Sequence, residues 1–265
     1  MTKILLIESN PPDLTAHGQR AAAGFEATLK ALDPAIELTV AAPYAAPFTA
    51  DLLAGIDGAV FTGSAAAWAT DAVEAAPLRQ AMELTFAQPL PVWGSCNGLQ
   101  LAAVVLGGTV GAAAAGLEVG LAQKIALTQA GRRHAMLAGR KNGYAAPAIH
   151  RDAVKRVPHG AVTLAGNAHS PVQAMAYAQG GVDFWGTQYH PELALITIAG
   201  WVRARGLFAA CDPAIAGLAD GDESNAAREL GLEPHCLTLA NRALELRHWL
   251  SHVRLRAAQP LAAAC

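Results

Sequence analysis

Two short stretches carry the side chains best suited to covalent chemistry: "PVWGSCNGLQLAAVV" (91–105) and "GTQYHPE" (186–192). In the first, Cys96 lies between Gly94 and Gly98, where a short apolar run meets a longer one broken only by Gln100. A strand turning into a helix there leaves the cysteine at the carboxyl edge of a sheet, with the glycines relieving the crowding of a sharp turn. The free N–H groups and the dipole of the helix end favour thiolate over thiol and offer a place for a developing oxyanion. A buried structural cysteine fits the same short pattern, so the elbow alone leaves both readings open.

A nucleophile of this kind needs a base. In an extended segment residues two apart share a face, so His190 and Glu192 point together, and Pro191 biases His190 towards extended backbone. The carboxylate can hold one imidazole nitrogen and leave the other to face a thiol. Taken alone, the pair reads more simply as a surface histidine and glutamate at a strand end.

The elements that must position these residues follow from hydrophobic pattern. Apolar runs at 3–9, 36–43, 58–64 and 90–95 read as buried strands; helices are expected over 14–32, from Pro77 (Leu78, Met82 and Thr85 on one face) and over 97–107. Alternating strands and helices imply a parallel sheet. Beyond about residue 120 strands predominate, at 121–128, 145–154, 161–167, 172–178 and 182–190, before a helix over 191–208. The fold expected is α/β: an open, mostly parallel sheet flanked by helices, flavodoxin-like, with an antiparallel extension and the nucleophile elbow at a strand–helix turn. Residues 1–205 form the domain and 206–265 a helical extension packed on it.

Read together, the two motifs resemble those of the class I, triad-type glutamine amidotransferases. Gly94, Cys96, Gly98 and Gln100 fit that family's G-x-C-x-G-x-Q elbow, and Gly186, Gln188, His190, Pro191 and Glu192 fit its G-x-Q-x-H-P-E base motif. "DGAVFTGS" (57–64), "GLEVG" (116–120) and "HRDAV" (150–154) resemble further motifs of the family, over about residues 3 to 205. The resemblance implies Cys96 as nucleophile, His190 as general acid and base and Glu192 as its orienter. It places the oxyanion hole at the N–H of Asn97 with one from Gly63 or Ser64, and the substrate pocket at Gln100, His150, Arg151 and Asp152. It implies hydrolysis of glutamine or another γ-glutamyl compound through a glutamyl thioester, with no cofactor and no metal. A stand-alone γ-glutamyl amine or peptide hydrolase is the alternative, and a catalytically silent binding module a further one. The sequence departs from the pattern at Ser64, where a second glycine is common, at Asn97, which replaces a bulky residue, and at Arg151, where glycine is common.

Other features admit plainer readings. His248 and His252 stand one helical turn apart, but no third metal ligand is in view. Arg132, Arg133 and His134 read as a solvated turn. Leu246, Trp249, Leu250 and Val253 form an apolar stripe suited to a core, a homodimer or a separate synthetase subunit. Of 265 residues 53% are hydrophobic and the net charge is −2, which with no basic stripe argues against nucleic acid. The uncharged run 101–117 is shorter than a membrane span, and the N-terminal apolar run is too short for a secretion signal. A cytoplasmic protein is therefore expected, its four cysteines free of disulfides.

Overall fold

The structure, a computed structural model, describes residues 1–216, 227–233 and 235–258. Its strands are β1 (Lys3–Ile7), β2 (Glu37–Ala41), β3 (Gly58–Phe61), β4 (Pro91–Ser95), β5 (Thr109–Ala112), β6 (Glu118–Leu127), β7 (Tyr144–His150), β8 (Asp152–Arg156), β9 (Val162–Gly166), β10 (Ala174–Tyr177) and β11 (Asp183–Thr187). Nine of them make one sheet in the order β2-β1-β3-β4-β11-β10-β9-β6-β7, and β5 pairs with β8 separately. From β2 to β11 the neighbours run parallel; from β11 to β7 they run antiparallel. The open α/β sheet with an antiparallel extension is thus the architecture observed.

Strand alternation divides the core between the two faces of the sheet. Ile4, Leu6, Val60 and Trp93 point to one face, where they meet Phe25 and Leu29 of the helix Ala22–Leu32 and Leu246, Trp249 and Val253 of the helix Leu244–Ala257. Leu5, Ile7, Ala59, Phe61 and Val92 point to the other, against the helices Ala76–Phe86 and Asn97–Val105. The C-terminal apolar stripe is therefore consumed by the chain's own sheet. The fit is close: a Cβ on Gly58 would lie 2.9 Å from Val253, and the Trp93 and Trp249 rings meet edge-on at 6.3 Å.

The same helix brings a buried charge. Glu245 is fully enclosed and accepts from Arg140 Nε and Nη2, each at 2.7 Å, and from the Tyr189 hydroxyl at 2.7 Å. The Tyr189 and Tyr144 hydroxyls lie 2.9 Å apart.

Several boundaries differ from the expectation, each for a local reason. The helix expected over 14–32 is two, Pro12–Ala16 and Ala22–Leu32, separated at Gly18 with φ 77°. The strand expected over 145–154 breaks at Arg151, because β7 pairs with β6 whereas β8 crosses to β5. The last strand stops at Thr187 rather than at His190, and the following helix runs only from Leu195 to Arg205, ended by Gly206 at φ 66°. The uncharged run 101–117 is a helix end followed by β5. Among the described residues no helix is long and apolar enough to cross a membrane.

Candidate active site

Cys96 occupies the single residue between β4 and the helix Asn97–Val105, at φ 50° and ψ −101°. That conformation is strained for a residue with a Cβ, at an order of 1–3 kcal/mol. It is held by Cys96 N–H donating to Thr187 O at 2.7 Å and by Cys96 O accepting from Gln100 N–H at 3.0 Å. The flanking glycines are a packing requirement. A Cβ on Gly94 would lie 2.6 Å from the carbonyl carbon of Gly98, and one on Gly98 would lie 2.3 Å from Phe61 O.

His190 follows the parallel neighbour of β4, so the two motifs share one edge of the sheet. Its Nδ1 lies 2.7 Å from Glu192 Oε1. The pair does not meet as alternate residues of a strand: the chain turns, with Leu193 N–H donating to His190 O at 3.2 Å. Glu192 Oε2 accepts from Ser95 Oγ at 3.0 Å, and Ser95 Oγ accepts from Trp93 Nε1 at 2.9 Å. Gly63 leaves room for the ring, since a Cβ there would lie 2.7 Å from His190 Cε1 and 3.8 Å from Cys96 Cβ. Nε2 of His190 is buried with no hydrogen-bond partner among the described residues.

Burial opposes protonation of this ring, but the Glu192 carboxylate and the Cys96 side chain outweigh it and push the His190 pKa up to about 10. A raised histidine stabilises the fold fully below its unfolded pKa of about 6.5, and that contribution is lost as pH rises through the folded value. The melting temperature of the native chain should therefore fall more steeply between about pH 7 and pH 10 than that of a His190→Gln variant. Parallel profiles by calorimetry would contradict it.

Residues that the sequence reading passed over hold the opposite wall. Asn10, just past the carboxyl end of β1, accepts from Ala65 N–H at 2.7 Å and Ser64 Oγ at 3.1 Å, and donates to Gln19 O at 2.7 Å. Glu8 accepts from Ala21 and Ala22 N–H and caps the helix Ala22–Leu32. The available signal was the polar "ESN" after "KILLI", at the strand edge where open α/β sheets bind ligands.

Gly63, Ser64 and Asn97 border one cavity of about 400 Å³ with Cys96, His190 and Glu192. Asn97 opens the helix, where the first N–H groups have no intrahelical partner, and its Oδ1 is buried with no hydrogen-bond partner among the described residues. Gln100, Arg151, His150 and Asp152 border the cavity too. Gln100 Nε2 donates to Asp152 O at 2.6 Å and Gln188 Oε1 at 3.1 Å. Both ring nitrogens of His150 are engaged within the chain, with Asp152 O at 3.0 Å and Glu118 Oε2 at 2.7 Å. Arg151 is largely exposed and paired with Asp152 at 3.0 Å.

Glu118, His150 and His169 bring potential metal-ligand atoms within 4.8 Å of one another. However, Glu118 also accepts from Asn167 Nδ2 at 2.8 Å and Gln173 Nε2 at 2.7 Å. Burial would raise its pKa, yet the hydrogen bonds from His150 and Asn167 leave it lowered. N–H donors thus take the place a cation would need. His248 and His252 do not converge: one lies 3.0 Å from Met136 O, the other 2.7 Å from Asp183 Oδ2 and stacked on Trp185. His134 is not simply solvated, since it packs edge-on against Trp185 at 4.9 Å.

An open parallel sheet with a strained cysteine elbow, and a His–Glu pair at the end of the adjoining strand, defines an α/β protein of the cysteine-elbow class. More particularly, this chain belongs to the class-I glutamine amidotransferase family, whose model matches residues 37–198. It is 36% identical over 187 residues to a γ-glutamyl-L-1-hydroxyisopropylamide hydrolase from a Pseudomonas species, covering 68% of this chain and 62% of that one. It is 36% identical over 104 residues to the glutamine-hydrolysing GMP synthase of Prochlorococcus marinus, covering 39% of this chain but 19% of the synthase. A glutamine-hydrolysing GMP synthase subunit from Methanocaldococcus jannaschii is 31% identical over 118 residues, 44% of this chain and 58% of that one. The matches thus span less than two thirds of each of these relatives. In fold it is similar to a glutamine amidotransferase from Methylobacillus flagellatus, with TM-score 0.65, 20% identity and 94% of both chains covered.

Proposed function

We propose that this protein hydrolyses γ-glutamyl amides, with Cys96 as nucleophile, His190 as acid and base and Glu192 as its orienter. The observation that carries the reading is the strained elbow cysteine sharing one cavity with a buried imidazole already fixed by a carboxylate. The Cys96 thiolate attacks the side-chain amide carbon, and the oxyanion that forms is held by N–H groups of Asn97 and of Gly63 or Ser64. The C–N bond breaks as protonated His190 gives its proton to the departing amine. Neutral His190 then takes a proton from water, whose oxygen attacks the thioester carbon, and glutamate leaves as Cys96 is restored.

The size of the departing amine separates two forms of this activity. The cavity extends past the reacting groups to Trp68, Leu117, Trp201, Arg205 and Leu207, more space than ammonia needs. The apolar stripe that could have docked a synthetase lies buried in the chain's own core. Both favour a stand-alone hydrolase acting on γ-glutamyl derivatives of larger amines, and the similarity to the Pseudomonas hydrolase agrees. The similarity to a separate GMP synthase subunit supports the second form, a glutaminase feeding ammonia to another chain. Glutamine, γ-glutamyl alkylamides and γ-glutamyl peptides offered to the purified protein, with released glutamate as readout, discriminate them. The expected result is turnover of an alkylamide at least ten times faster than glutamine. Slow hydrolysis of glutamine alone would favour the ammonia-supplying form. No glutamate from any member, and no Cys96 adduct with a reactive glutamine analogue, would favour a binding module.

A further inference from the structure

We propose that Arg242 is a positioning residue: it holds the turn that sets His190 against Glu192, which makes the C-terminal segment part of the working site. This role rests on the triad assigned above. A turn cannot satisfy all of its own carbonyls, and Pro191 and Glu192 are buried, so their oxygens need partners from elsewhere. Arg242 Nη1 donates to Pro191 O at 2.8 Å, and Thr28 Oγ1 donates to Glu192 O at 2.8 Å. Both terminal nitrogens of Arg242 also lie 3.4 Å from Thr28 Oγ1. One planar guanidinium therefore ties the turn to the helix Ala22–Leu32.

A second tie acts on the other side of His190. Tyr189 donates to Glu245 at 2.7 Å, and Glu245 is held by Arg140, whose Nη2 also lies 3.3 Å from Arg242 O. Residues 189 and 191 are thus both gripped from behind by residues 242 and 245, while His190 N–H donates to Pro147 O at 2.7 Å. Arg242, Thr28, Tyr189, Glu245 and Arg140 stand behind the turn and are not among the residues that border the cavity. They act on the reaction through the Nδ1 to Oε1 alignment alone, and a misplacement of about 1 Å in such a geometry can cost on the order of 10²-fold in rate.

The test compares Arg242→Met, which keeps the stem and removes the donors, with Arg242→Lys, which keeps one. A third variant, Thr28→Val, removes the hydroxyl without changing shape. In Arg242→Met, kcat on the best γ-glutamyl amide should fall roughly 10- to 100-fold with KM changed less than about threefold, and Arg242→Lys should recover most of it. A readout free of substrate accompanies this: the downfield proton resonance of the His190 Nδ1–H bonded to Glu192. It should broaden or move upfield in Arg242→Met and Thr28→Val. Were the native chain inactive on every amide, the resonance would still decide the positioning role while the triad assignment failed. Folded Arg242→Met with native kcat and a native resonance overturns the proposal. If that variant does not fold, a native His190 resonance in Thr28→Val overturns it equally.

Discussion

Cys96→Ala should end glutamate release, by roughly 10⁴-fold or more, while the chain still folds, because alanine carries the same Cβ into the same strained φ of 50°. His190→Ala should fall to a similar level. With no acid in place the amine must leave unprotonated, and with no base the thioester waits for unaided water. The double variant Cys96→Ala/His190→Ala should lose little more than either single one, since groups that act as a unit are far from additive. Glu192→Gln behaves differently. It removes the charge that holds the imidazole and pushes its pKa up, but leaves nucleophile and base present, so its loss should be roughly 10²-fold smaller than theirs. Steady-state release of glutamate from one γ-glutamyl amide measures all four. Native activity in His190→Ala would refute the assignment. A Glu192→Gln variant as damaged as Cys96→Ala would show that the carboxylate does more than orient.

The elbow was legible in the sequence because its requirements are local. Gly94 and Gly98 are glycines since backbone atoms lie within 2.6 Å of where a Cβ would stand, and contacts that short leave a one-letter trace. His190 and Glu192 were legible for a reason that proved incomplete: strand alternation brings residues two apart to one face, but here a turn does it, and the same spacing serves both. Asn10 left only the trace of the polar "ESN" after "KILLI", and Thr28 and Arg242 left none. They lie 54 residues before Ser64, 164 before Glu192 and 51 after Pro191. The order of the strands, β1 beside β3, brings Asn10 to Ser64, whereas Thr28 and Arg242 reach the turn from helices. His150 was legible only as a residue beside an expected loop; the structure places it on the cavity wall with both ring nitrogens engaged inside the chain. The C-terminal stripe was visible at helical spacing, but periodicity describes a face and not what covers it.

That covered face yields the largest expected change in stability. Glu245 is wholly enclosed and Arg140 nearly so, with a side chain 7% exposed. Burial alone would lower the Arg140 pKa, but the charge and hydrogen bonds of Glu245 raise it, so the guanidinium depends on that one carboxylate. Glu245→Ala leaves the cation without its counter-charge and the Tyr189 hydroxyl without its acceptor. Breaking a buried pair from one side costs about 3–5 kcal/mol, a large share of the roughly 5–15 kcal/mol that holds a typical domain. The pair as such need not be strongly favourable, because desolvating two charges offsets much of their attraction. Arg140→Met/Glu245→Leu should therefore lose less than Glu245→Ala alone, a reversal that a lost surface ion pair could not produce. Arg20 and Glu26 supply the comparison: with side chains 46% and 34% exposed, their pair should contribute less than about 1 kcal/mol. Urea unfolding of the single variants, the double variant and Arg20→Ala measures all of these together. If Glu245→Ala stays within about 1 kcal/mol of the native chain, water reaches Arg140 and the enclosure is not what holds the C-terminal helix. If the double variant is the less stable, the ion pair contributes net stability, and the tie from Glu245 to Tyr189 beside His190 is energetic as well as geometric.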